Sequence, residues 1–232
     1  MPKINWGQAA SEALLILVGI LLALAADAWW EERSERLQER EYLEALASEL
    51  DQMKAHVRSV LRDAEDVVES GRVLLEVTPD WQSAVSTDSL SVLIAELSSE
   101  VAWAPPTTVY QDLVNTGAVV VIQSFEVRLG LNELMEVISW VDSRQLRHNE
   151  FFWAEMEPYF RLHIPLLAVF GWDALAVPRD SWIPGDFVRT DEFRNLVAAK
   201  SLTALDVQDG GEELMELIDE VRGTINVAAG GL

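Results

Sequence analysis

The sequence predicts an all-α protein, and three observations carry that prediction. One uninterrupted apolar stretch, Trp6 to Trp30 (WGQAASEALLILVGILLALAADAWW), stands near the start of the chain. Beyond it, Leu43, Leu46, Leu50, Met53, Val57, Val60, Ala64 and Val67 recur at alternating spacings of three and four, the period of one helix face. The later segments repeat one-sided apolar faces between capping residues, and Val119 to Ile122 is the one run of more than two consecutive β-branched aliphatic residues. Together these predict an N-terminal transmembrane helix that continues into a long helix, which packs in an extramembrane helical bundle. Residues 1–30 form the tail and the single membrane helix, and residues 31–232 an acidic α-helical domain.

The membrane helix is the first element to justify. Ala13 to Ala26 holds no charged or polar side chain, and the rise from Trp6 to Trp29 at ~1.5 Å per residue covers roughly 35 Å, enough for the hydrocarbon core and part of both interfaces. Trp6 at one end and Trp29 and Trp30 at the other are interface anchors. A run this short also suits a cleaved secretory signal, and Ala23-Leu24-Ala25 offers a small-x-small cleavage pattern. Glu12, directly before the apolar run where a signal prefers Lys or Arg, favours a retained anchor. Gly19 and Ala23 form a small-xxx-small face that permits close helix contact in lipid. Glu12 is either an interfacial carboxylate reaching water or a partner for a group on another subunit.

Ser11 to Leu24 (SEALLILVGILLAL), followed by Trp29, Glu31, Glu32 and Arg33, resembles a family of bacterial single-pass membrane proteins of unknown function. Its members open with a G-E-I-L-L-x-x-x-G-I-L-I-A-L-type helix and then W-x-E-E-R. Tyr42-Leu43, Leu50 and Tyr110-x-x-Leu113-x-x-Thr116-Gly117 resemble further landmarks, while Ser11 stands where the family has Gly and Asp27-Ala28 where it tends to Asn. The resemblance implies a topology, with a short cytoplasmic N-terminus and an exported domain at the bacterial inner membrane, and no assigned activity. The charges divide on this point. Arg33, Arg36 and Arg40 follow the helix and only Lys3 precedes it, which by Lys/Arg count alone keeps the domain in the cytoplasm. The resemblance tips the expectation to the periplasmic side.

Charge and composition bound the function. Asp and Glu outnumber Lys and Arg 39 to 17 in 232 residues, and all of these but Lys3, Glu12 and Asp27 lie beyond Trp30. Such a field repels nucleic acid and anionic lipid headgroups, so phosphate-backbone binding is disfavoured and no nucleic acid is expected as a partner. The absence of Cys excludes disulfides and thiol chemistry.

The remaining elements follow in order. The stripe from Leu43 is a coiled-coil-type seam on a helix over residues 31–75, ended by Gly71 and Pro79, and it serves either intramolecular packing or pairing with a second copy. Residues 86–164 hold further helices. One runs from Asp88 to Ser99, capped by Thr87 or Asp88, and one follows Thr107 or Thr108 and stops at Gly117. Val119 to Ile122 has the composition of a strand but no partner strand, so a buried connection is expected there. A long helix then runs from Ser124 to about Arg161, with Leu129, Leu134, Val137, Ile138, Val141 and Leu146 inward and a bend near Pro158. Residues 165–190 form a Pro- and aromatic-rich loop, in which Leu166, Leu167, Phe170 and Trp172 are candidates for a partner-binding or membrane-grazing surface. Residues 191–228 hold two C-terminal helices, the first capped by Thr190 and carrying Phe193, Leu196, Val197 and Leu202, with Gly210-Gly211 between them.

Chemistry is sparse. His56, His148 and His163 have no metal-ligand spacing, there is no phosphate loop and no nucleophile motif, and no cofactor is expected. Glu49, Asp51, Glu65, Asp66 and Glu69 could hold a divalent cation loosely, though no calcium-loop pattern surrounds them. The expectation is a non-catalytic accessory or scaffolding subunit docked on a larger membrane complex, respiratory or photosynthetic. The alternatives are a homo-oligomeric sensor or stress-response protein that associates through the 43–67 seam, and an enzyme with an unrecognised site.

Overall fold

A computed structural model describes residues 6–77, 80, 86–164, 169 and 186–231, with side chains from residue 14 onward except at 87, 88 and 186. Every regular element among them is helical. Helix α1 runs unbroken over Trp6–Val77, 72 residues or about 108 Å at ~1.5 Å per residue. It is followed by α2 (Thr87–Leu97), α3 (Thr108–Thr116) and a 3-10 turn (Ala118–Val121). Then come α4 (Phe125–Phe151), a π turn (Phe152–Met156) and α5 (Glu157–His163). A second 3-10 turn (Asp186–Arg189) leads into α6 (Asp191–Gly230).

The starts and stops have local causes. The hydroxyls of Ser86, Ser124 and Thr190 accept from the amides of Ser89, Val127 and Phe193, each satisfying a donor of the first turn. For α2 the cap is thus Ser86, one residue earlier than expected, because its hydroxyl reaches the third helical amide. Helix α3 starts after Thr107 and ends at Gly117, whose φ of 74° is the left-handed closure that glycine adopts without a Cβ penalty.

Helix α6 is the centre of the bundle and packs against both α1 and α4. It runs antiparallel to α1, since Lys54 meets Asp219 and Asp51 meets Arg222 at 3.4 Å. The core has a near end and a far end relative to the free stem. Near the stem, Leu43, Leu46, Leu50, Met53 and Val57 pack with Leu113, Ile122, Leu131, Leu214, Ile218 and Ile225. At the far end, Val67 and Leu74 pack with Leu90, Ile94, Phe152, Met156, Phe160, Phe193 and Val197. Val60, Ala64, Val101 and Val207 join the two.

Several expectations are corrected. Gly210-Gly211 does not separate two helices, because α6 is continuous through it. There the helix is gripped on both sides: a Cβ on Gly210 would lie 2.9 Å from the Trp140 ring, and one on Gly211 would lie 2.7 Å from a Leu61 methyl. The pair allows close approach rather than a break. In place of a buried connection, Ala118–Val121 forms a 3-10 turn with no buried residue, Val120 being 77% exposed, and only Ile122 after it is buried. The helix from Ser124 is interrupted by the π turn just before Pro158. A proline ring clashes with the carbonyl four residues back and lacks its own amide hydrogen, and a widened turn accommodates both. Leu129, Leu146 and Leu202 are exposed, because the buried stripes run through Val127, Leu131 and Leu134 on α4 and through Val197 and Ala204 on α6.

Candidate functional site

The described part of the chain presents its largest apolar surface on α1 ahead of the bundle. From Leu14 to Trp30 every side chain is exposed, with Leu15 at 77% and Trp30 at 69%. The helix carries an 18-residue window of mean hydropathy 1.9, none of it buried. It is long and apolar enough to cross a membrane. Gly19 has no heavy atom within 4 Å of the position a Cβ would take, and Ala23 beside it is exposed, so this face is open to another helix. Trp6 and Glu12 lie on the helical backbone, but their side chains fall outside the described residues. Leu166, Leu167, Phe170 and Trp172 lie wholly outside them.

The stripe behaves differently. Leu43, Leu46, Leu50, Met53, Val57 and Val60 are each no more than 2% exposed, covered by the chain's own α3, α4 and α6. A second copy would find this seam already occupied.

Between stem and bundle lies a neck, residues 31–38, exposed throughout. The guanidinium of Arg33 sits over the ring of Trp29 at 5.9 Å, Arg36 pairs with Glu32, and Arg40 pairs with Glu44 at 3.0 Å. A shallow concavity is lined by Trp29, Glu32, Arg33 and Arg36. Where the bundle begins, Val120, Phe125, Leu129 and Val227 are exposed apolar side chains. They belong to the near end because Gln123 is bonded to Glu39 and because α6 runs antiparallel back to the level of the neck.

The groups that sequence reasoning missed are the buried polar ones. Glu39 is 3% exposed and accepts from the amide of Gln123 at 2.6 Å, its second oxygen having no partner among the described residues. Glu49 accepts from the amides of Val109 and Tyr110 at 2.8 and 3.2 Å, which places a carboxylate at the N-terminus of α3. These two side chains clip the segment between α2 and α4 onto α1. A signal for Glu39 was present, since it lies four residues before Leu43 and so in register with the seam. At the far end, Lys200 is fully buried on α6 and donates to the carbonyl of His148 at 3.0 Å. Burial lowers its ammonium to about 8. The buried His148 ring meets the hydroxyl of Thr203 at 2.9 Å, and burial together with the Lys200 charge holds it neutral, lowered to about 3.

No group of three or more His, Asp and Glu side chains is arranged to hold a metal among the described residues. Of the loose acidic set, Glu49 is committed to backbone amides. His56 accepts from the amide of Ala104 at 3.0 Å, and His163 lies against Tyr159 and Phe187. Glu39, Glu49 and Lys200 therefore hold backbone in place, and the open surface is the stem, the neck and the near end. No family model, curated protein or solved structure matches this chain.

Proposed function

We propose that this protein is a non-catalytic, membrane-anchored accessory or scaffolding subunit, with one helix in lipid and an acidic helical bundle held beside a larger membrane assembly. The observation that carries the reading is the bare apolar stem, Leu14 to Trp30, continuous with the helix that supplies the bundle's seam. An apolar surface of that length costs roughly 25 cal/mol for each Å² left in water and is stable when lipid or protein covers it. The resemblance of residues 11–33 to single-pass bacterial proteins supports the inner membrane as its place, with the bundle on the periplasmic side. Respiratory or photosynthetic complexes are the candidate hosts, and the exposed Val120, Phe125, Leu129 and Val227 are the contacts a neighbouring subunit would cover. Contact within the membrane would use Gly19 and Ala23, with Glu12 near the opposite interface.

Extraction in mild detergent, native-gel separation and mass spectrometry of the bands test the reading. Co-migration with a large assembly in fixed stoichiometry is the expected result. Migration alone, as a dimer or larger, would overturn it in favour of a homo-oligomer. Because the seam is covered, that homo-oligomer would associate through the Gly19 and Ala23 face.

A further inference from the structure

The arginines of the neck share one face of α1, with Glu32 beside them. Trp29, Arg33, Arg36 and Arg40 recur at spacings of four, three and four and so share one face of α1. Glu31, Glu35 and Glu39 recur at four and four on another face, and at about 100° per residue Arg33 and Glu35 stand roughly 200° apart. The carboxylate face is the one that runs beneath the bundle, because Glu39 at its upper end is buried under Gln123. The arginine face points aside from the bundle and is open.

Resting on the anchor reading above, we infer that Trp29, Arg33 and Arg36 form a docking face for the phosphate of an anionic phospholipid headgroup. With Trp29 and Trp30 at the interface, Arg33 stands about 6 Å further along the axis from Trp29, within a headgroup layer of about 5–7.5 Å, and Arg36, about 10 Å along, lies just beyond it with a long side chain that a helix directs back towards its N-terminus. Arg40, about 16 Å along, is out of reach. The geometry suits an oxyanion. Arg33 is held over Trp29 and has no ion pair among the described residues, so its planar fork is free to donate two parallel hydrogen bonds to phosphate. Arg36 has Glu32 as its partner, but both side chains are more than half exposed and such a pair is weak enough to exchange for a lipid phosphate. The concavity between Trp29, Glu32, Arg33 and Arg36 receives the headgroup. Glu31, Glu32, Glu35 and Glu39 lie within a Debye length, ~8 Å at physiological salt, of Arg33 or Arg36, so net charge opposes the anion and the contact rests on direct hydrogen bonds from the two guanidiniums, while the more distant carboxylates of the bundle are screened.

The test uses the full chain reconstituted in vesicles of phosphatidylcholine and phosphatidylglycerol, with flotation first and then native mass spectrometry of the lipids retained. Wild type is expected to float and to retain phosphatidylglycerol relative to phosphatidylcholine at roughly 10- to 30-fold the ratio of the two in the vesicle, two arginines each contributing about fivefold. Arg33→Gln with Arg36→Gln should float equally and lose that preference, while Arg40→Gln should keep it. Floating chains that retain both lipids in the vesicle ratio, wild type and double variant alike, would overturn the headgroup face and leave the anchor standing. A wild-type chain that fails to float would overturn the anchor and the headgroup face together.

Discussion

At the scale of single residues, the bundle is organised by polar groups placed where only backbone can meet them. Glu39 and Glu49 each trade solvent for amide hydrogens of the α2 to α4 segment, and Lys200 does the same with a carbonyl of α4. His148 has the clearest measurable consequence. Its ring takes a proton below about 6.5 when unfolded and holds it off until about 3 in the fold, so between these values the unfolded state binds more protons. Stability contributed by the neutral ring is therefore present above pH 6.5 and lost as pH falls towards 3. His148→Gln keeps a polar group beside Thr203 and cannot titrate. Between pH 7 and pH 5, denaturant unfolding should show the wild type losing about 2 kcal/mol more than this variant. Equal losses would mean that the ring is not held neutral by its surroundings. These residues were illegible in the sequence because Glu is abundant and a lone His or Lys on a helix carries no mark of burial. Glu39 alone was recoverable, through its register with Leu43.

At the scale of elements, apolar spacing and capping residues located most helices, and glycine misled. The three-four stripe of α1, the Thr190 cap and the Gly117 stop were readable because each is a local rule with a local cause. Gly210-Gly211 reads locally as a break, and only the tertiary arrangement shows why it is not one. Neither residue needs an unusual backbone; both lie where α6 passes within reach of α4 on one side and α1 on the other. Gly223, on the same helix, has nothing within 4 Å of the position a Cβ would take and is not among the glycines that α6 buries. Substitutions at Gly223 and Gly210 should therefore act in opposite directions. Gly223→Ala gains helix propensity and should stabilise by about 0.5–1 kcal/mol. Gly210→Leu must displace the Trp140 ring, over which the Arg144 guanidinium stacks at 3.3 Å, and should destabilise by roughly 1–3 kcal/mol. Thermal melts of the two variants decide it, and a Gly210→Leu protein as stable as wild type would mean that α4 and α6 are not in close contact there. The π turn before Pro158 was legible only as a bend, since the residue marks the strain and not the form of its relief.

At the scale of the whole molecule, the chain divides by what covers its apolar groups. The stem is left bare by the protein itself, whereas the seam that begins at Leu43 is closed by α3, α4 and α6. The coiled-coil-like pattern could not distinguish a partner helix in the same chain from one in a second copy, because knobs and holes have the same spacing in both. The two arrangements differ in what happens when the stem is removed. Among the described residues, every buried side chain lies within residues 31–232, the first being Glu39, so this fragment should fold and melt as the full chain's bundle does. It should also be monomeric by light scattering. Leu46→Asp with Leu50→Asp in the fragment puts unpaired carboxylates into the cluster that holds Leu113, Leu214 and Ile218, and should cost more than about 4 kcal/mol, unfolding it outright. If the seam instead joined two copies, the fragment would run as a dimer, and the same substitutions would yield a folded monomer. A monomeric fragment that unfolds with its seam keeps association where the bare surface is, in the stem, the neck and the near end of the bundle.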